Sequence, residues 1–146
     1  MCIRDRNSGE WTTIAKVNEA NQRGGVAFVV EDKVYAGLGE KSNGIRNGFY
    51  VSSDSLTKWE LIPSIPAQLG VISSGVYDEQ KKSFFMIDND GKIWEYNLTT
   101  EQWTSRSLWI RMKNYHMFML DGSIYILGQD IYQKNKFTVY NPIWDN

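Results

Sequence analysis

The densest mixture of arginines and aromatic rings along the 146 residues is Arg106, Trp109, Arg111 and Tyr115. These residue types concentrate binding energy at interfaces, because they join a broad contact face to directed hydrogen-bond donors. The chemistry they predict is recognition, with Trp109 offering a flat indole on which a sugar ring can stack. Trp109 also falls outside the tryptophan register described below, which frees it from a repeat packing role. Arg46, near Asn43 and Asn47, and Asp130, near Gln129 and Lys134, are the further ligand-binding candidates.

Catalytic chemistry finds less material. His116 is the only histidine and Cys2 the only cysteine. A transition-metal site needs a cluster of such ligands. No metal or other cofactor is therefore expected, and no residue is assigned a catalytic role. His116 reads as a structural hydrogen-bonding residue. Asp32, Asp78, Asp88, Asp90, Asp121 and Asp130 stand in turn contexts, where an aspartate caps its own backbone. Asp88-Asn89-Asp90-Gly91 opens like a calcium loop but lacks the later ligands and bidentate Glu of an EF-hand, so it reads as a hairpin turn. Asn97-Leu98-Thr99 matches the N-glycosylation acceptor pattern. Nothing in the sequence reads as a Ser/His/Asp triad or a phosphate-binding glycine loop.

Binding residues need a stiff frame, and the tryptophan spacing predicts one. Asn7-Ser8-Gly9-Glu10-Trp11-Thr12, Ser55-Leu56-Thr57-Lys58-Trp59-Glu60 and Thr99-Thr100-Glu101-Gln102-Trp103-Thr104 repeat one phrase. Trp59 follows Trp11 by 48 residues and Trp103 follows Trp59 by 44. A period in this range, filled with short β-patterned runs, signals a β-propeller. Runs of β-branched and aromatic residues bounded by Gly, Asn and Asp place strands near 26–31, 33–38, 47–52 and 58–62, then 73–78, 82–88, 91–96 and 102–106, then 115–120, 123–128 and 135–140. Asp121-Gly122 and Asp90-Gly91 fit tight hairpin turns, since both central residues tolerate positive φ. No stretch sustains a helical period. The fold class is all-β: a β-propeller segment of about three four-stranded antiparallel blades, an incomplete ring. Trp11, Trp59, Tyr96, Trp103 and Tyr140 hold repeat positions and are expected to fill the space between blades. Trp59 and Trp103 are expected to be largely buried, so that truncation to alanine costs about 3–5 kcal/mol.

Residues 7–15 read as the outer strand of a preceding blade, 16–62 and 63–106 as blades, and 107–146 as an incomplete blade. Tyr96 precedes Trp103 by seven residues, so Tyr140 predicts a repeat tryptophan at position 147. The chain thus reads as a fragment, with the remaining blades of a longer protein among its partners. Met1-Cys2-Ile3-Arg4-Asp5-Arg6 fits no strand pattern and resembles the translated adaptor leaders of metagenomic fragments, so 1–6 reads as a non-native leader.

With the repeats in place, the chain resembles a kelch-repeat β-propeller of the galactose-oxidase-like type over roughly residues 10–146. Tyr96 and Trp103 supply the kelch Tyr/Trp pair. Ala36-Gly37-Leu38-Gly39 and Leu127-Gly128 are weakened forms of its glycine signature, and Lys113-x-x-His116 resembles its Arg-x-x-His. Copper oxidation as in galactose oxidase would need two histidines, a tyrosine and a cysteine-linked tyrosine, which this chain lacks. Ser52-Ser53-Asp54-Ser55-Leu56-Thr57-Lys58-Trp59 is similar to the Asp box of sialidase-like propellers, with Leu56 in place of its glycine and Lys58 in place of its threonine.

Composition bounds the function. Sixteen basic against seventeen acidic residues give a net charge of −1, without the clustered cationic footprint that nucleic-acid binding needs. No run of 18 or more apolar residues spans a membrane. With 42% apolar and 14% aromatic residues there is material for a core. The expected role is a non-catalytic scaffold that binds a protein or glycan partner through its loops, at 40–47, 63–71, 106–115 and 129–136, in an extracytoplasmic bacterial protein: periplasmic, secreted or outer-membrane-associated. The alternative is part of a carbohydrate-active kelch enzyme, sialic-acid epimerase-like or copper-oxidase-like, or of an Asp-box sialidase-like propeller.

Overall fold

Short alternating runs between Gly, Asn and Asp punctuation fold into strands throughout, with no helix among the described residues. The computed structural model describes residues 2–4, 8–13, 24–41, 43, 48–53, 56–109, 112–130 and 132–141, and at 2–4, 11–13 and 107–109 the backbone alone. The strands are β1 (Cys2–Arg4), β2 (Trp11–Thr13), β3 (Val26–Val30), β4 (Lys33–Gly37), β5 (Phe49–Ser52), β6 (Trp59–Leu61) and β7 (Ile72–Asp78). They continue as β8 (Ser83–Asp88), β9 (Lys92–Asn97), β10 (Gln102–Trp109), β11 (Lys113–Leu120), β12 (Ser123–Gln129) and β13 (Asn135–Tyr140).

Three antiparallel sheets follow in chain order, β3-β4-β5-β6, β7-β8-β9-β10 and β11-β12-β13. The first strand of each sheet neighbours that of the next, β3 beside β7 and β7 beside β11. Met117 of β11 donates its N–H to the Ser74 hydroxyl of β7 at 2.9 Å, tying two of these inner strands together. Successive meanders with adjacent first strands make an all-β, propeller-like arrangement that does not close into a ring.

One expectation is corrected. Cys2–Arg4, inside the stretch that fits no strand pattern, is a strand paired with β2, with Arg4 opposite Trp11. A three-residue ladder rests on backbone hydrogen bonds and needs no side-chain signature, so composition does not betray it. Trp59 and Trp103 keep only a minor part of their surface in solvent, and the Trp103 ring packs against the first interface between sheets. They sit on β6 and β10, the outer strands of their sheets, where an interface between sheets ends and solvent begins.

The core lies between sheets. Phe28, Phe49, Phe84, Met86, Trp94 and Tyr96 close the first interface, and Phe85, Ile87, Ile93, Tyr115, Met117, Ile124, Ile126 and Tyr140 the second. All six residues of β8 are buried. Because its side chains alternate, Phe84 faces the first sheet while Phe85 faces the third. Gly75 makes the first interface possible: a Cβ there would stand 2.7 Å from the Phe28 ring and 3.1 Å from the Phe85 carbonyl oxygen. Gly75→Ala is therefore expected to cost about 1–3 kcal/mol through overpacking, read as a lowered thermal midpoint.

Enclosure also shifts the tyrosines. Burial, with Glu101 and Tyr35 adding to it, pushes the Tyr96 hydroxyl up to about 12. Burial likewise raises Tyr35, Tyr77 and Tyr115. An unfolded tyrosine ionises near pH 10, so the folded chain holds these protons where the unfolded chain releases them. The stability present below pH 10 should fall as pH climbs towards 12. Denaturant midpoints measured across that window should show the fall, and Tyr96→Phe should flatten it.

Candidate ligand-binding site

Antiparallel pairing decides which connections share an end of the molecule. The starts of β3, β7 and β11 lie at the same end as the β4–β5, β8–β9 and β12–β13 connections. The turns at 31–32, 79–82 and 121–122 lie at the other. At the first end a cleft of about 770 Å3 opens between the starts of the three inner strands. Glu40 follows β4, Ser73 is the second residue of β7, Asn89 lies in the β8–β9 turn, and Lys113, Asn114 and His116 lie at the start of β11; all line it. A neighbouring cleft of about 310 Å3 shares Asn114 and His116 and adds Gln129, Asn135 and Lys136.

Local conformation aims these groups. The register of β11 against β12 slips between Lys113 and His116, and Asn114 adopts φ 55 inside that irregularity. Asn114 is held by donating its Nδ2 to Gln129 Oε1 at 3.1 Å. The Asn89 N–H donates to the Val71 carbonyl at 2.9 Å, which pins the β8–β9 turn over the start of β7. Among the described residues, the side chains of Ser73, Asn89, Lys113 and His116 engage no hydrogen-bond or ion-pair partner. The cleft therefore offers a hydroxyl, an amide, an ammonium and an imidazole to a ligand. No three His, Cys, Asp or Glu side chains gather to hold a metal among the described residues.

The residues singled out from sequence have separate fates. Tyr115 lines the cleft but is buried, and its hydroxyl accepts the Met112 N–H at 3.1 Å, so it braces the wall. Arg106 is half-buried on β10, its Nη2 paired with Glu95 of β9. Trp109 ends β10 opposite Lys92, so the expected loop begins as strand, and its side chain lies outside the described residues, as do Arg111 and Arg46. The Asp130 Oδ1 accepts the N–H groups of Tyr132 and Lys134 at 2.8 and 3.0 Å, the work of a turn residue. His116, read as structural, is exposed and borders both clefts. Ser73, Asn89 and Asn114 were missed by the sequence reading. The signal that would find them is positional: the first residues of each inner strand and the tip of each second-to-third strand turn.

Two sequence motifs become structural. The Asn97 Oδ1 accepts Thr99 and Thr100 N–H groups at 2.9 Å each, while its Nδ2 donates to Ser83 Oγ of β8 at 3.1 Å, so the acceptor amide is engaged by its own turn and by the neighbouring strand. Around the Asp-box-like stretch, Ser53 Oγ accepts the N–H groups of Thr57 and Lys58. Leu56 has φ 55 where the Asp box places glycine. Asp54 lies outside the described residues.

These features define a class, an open propeller-like all-β repeat with a polar cleft at the end where its connections gather. Over 90% of its length the chain is similar to a solved structural-genomics protein of unknown function from Bacteroides thetaiotaomicron VPI-5482, with a TM-score of 0.58 and 15% identity. It spans 36% of that protein's chain, and the likeness shows the fold alone. No protein-family model and no curated protein matches the chain.

Proposed function

We propose that the chain belongs to a non-catalytic, kelch-like propeller scaffold that holds a glycan in the cleft between the starts of β3, β7 and β11. The observation that carries this reading is the lining. Ser73, Asn89, Asn114, Lys113 and His116 present hydroxyl, amide and cationic donors, with Glu40 as an acceptor, around a concavity of about 770 Å3. Pockets of about 300–1,000 Å3 suit small ligands, whereas protein partners dock on broader and flatter surfaces. A sugar ring is dense in hydroxyls that both donate and accept, which matches a mixed lining of near-balanced charge. The Tyr96–Trp103 ring pair, 4.8 Å apart, and Lys113-x-x-His116 at the cleft support the kelch likeness. A glycan ligand agrees with an extracytoplasmic bacterial setting.

Calorimetric titration of the 146-residue chain with a panel of oligosaccharides tests the reading. At least one should bind and be recovered intact. Asn89→Ala and His116→Ala should each weaken it about 5–30-fold, the worth of one or two hydrogen bonds, without moving the thermal midpoint. Absence of binding across the panel, or affinity indifferent to both substitutions, would refute it. Release of a shortened sugar would make the chain part of an enzyme instead.

A further inference from the structure

The third sheet turns an aromatic face to solvent. Phe118 of β11, Leu127 of β12, and Phe137 and Val139 of β13 are 42%, 39%, 55% and 40% exposed. Phe118 and Tyr125 stack at 5.2 Å, and Tyr125 meets Phe137 at 5.4 Å. A contiguous apolar patch of this kind marks an interaction surface.

Register identifies the surface. Phe118 pairs opposite Tyr125 as Phe28 pairs opposite Tyr35 in the first sheet and Val76 opposite Phe85 in the second. Across the next ladder, Phe137 pairs with Leu127 as Phe49 pairs with Gly37 and Ile93 with Ile87. In the first two sheets every one of these ring positions packs on the following sheet. Phe28 stacks on Phe84 at 4.3 Å, Tyr35 meets Phe84 at 4.9 Å, and Phe85 meets Tyr140 at 6.5 Å. The third sheet fills the same positions with Phe118, Tyr125, Leu127 and Phe137, and there no following sheet among the described residues covers them.

We propose that this face is an inter-blade surface, covered in the intact protein by a further antiparallel sheet of the same polypeptide. The covering sheet presents the kind of face seen twice already, Phe84, Met86 and Tyr96 on the second sheet and Met117, Ile124, Ile126 and Tyr140 on the third. Its first strand lies beside β11, as β7 lies beside β3. Occupancy by another sheet follows from continuity with the two existing interfaces and is independent of the ligand cleft.

Hydroxyl-radical footprinting compares the 146-residue chain with the polypeptide made from the complete gene that encodes it. In the short chain Phe118 and Phe137 should be labelled readily, while Phe84 and Phe85 stay protected. In the gene product Phe118 and Phe137 should be labelled at least fivefold more slowly. The double variant Phe118→Ser/Phe137→Ser should leave the midpoint of the short chain within a degree or two, yet lower that of the gene product by several degrees. Equal labelling in both proteins overturns the proposal. So does a gene that stops at Asn146, or protection that arises in the short chain with rising concentration, which would make a second copy the occupant.

Discussion

Replacing Phe84 by alanine should remove about 3–5 kcal/mol of stability, the largest loss expected from any single truncation in the chain. Its ring is fully buried on β8, stacked on Phe28 at 4.3 Å and within 4.9–6.4 Å of the Tyr35, Tyr77, Phe49 and Tyr96 rings. Five aromatic neighbours from two sheets lose their common contact at once, and the cavity lies where neither sheet can collapse without moving the other. Aromatic pairs add about 0.5–1.5 kcal/mol beyond area burial. Trp103→Ala should cost less despite the larger ring, because Trp103 keeps a minor part of its surface in solvent and packs against Phe49 and Tyr96 at the edge of the same interface. Denaturant titration of both variants checks the ranking, and a Trp103 loss exceeding that at Phe84 would place the core elsewhere.

Asp88→Ala should cost about 2–4 kcal/mol, unusually much for a turn residue. Asp88 is 2% exposed and its carboxylate serves three donors. Oδ1 accepts the N–H groups of Asp90 and Lys92 at 3.1 and 2.9 Å, and Oδ2 accepts the Trp94 indole N–H at 2.9 Å. Alanine strands that indole N–H inside the protein, where an unmade bond carries its full desolvation cost. Asp88→Asn is the sharper variant. Its single amide oxygen can serve the turn or the indole, and its amide nitrogen then faces a donor on the other side. It should lose most of what alanine loses, and a melt like that of the parent would show that the carboxylate does not organise this turn. The same turn carries Asn89 into the cleft, so a loosened Asp88 should also weaken ligand binding.

Much of this architecture was legible in the residues. Strand runs such as Ser123–Gln129 and Asn135–Tyr140 announce themselves through β-branched and aromatic alternation, and Asp121-Gly122 forms the tight turn its type demands, with φ 49 and 72. The Asp90-Gly91 turn was less legible. Ile87 pairs with Ile93, so the chain turns over a longer path braced by Asp88, whose role depends on a tryptophan six residues away. The centre of the core is less legible, for a topological reason. Tryptophans recur visibly, but the outer strands that carry them border solvent, while β8, flanked by a sheet on either side, buries both of its faces. The candidate site was legible as a set of connections and not as residues. Arg106 answers to Glu95 on the neighbouring strand, a partnership that only the fold brings together, while Asp130 caps its own turn as its sequence context predicts.

Amide chemical shifts recorded while a bound oligosaccharide is titrated into the 146-residue chain test the binding account most directly. The account predicts shifts grouped at Glu40, Ser73, Asn89, Asn114 and His116, with the turns at 31–32, 79–82 and 121–122 at the opposite end unmoved. Shifts confined to those opposite turns, or to the exposed face around Phe118 and Phe137, would contradict it.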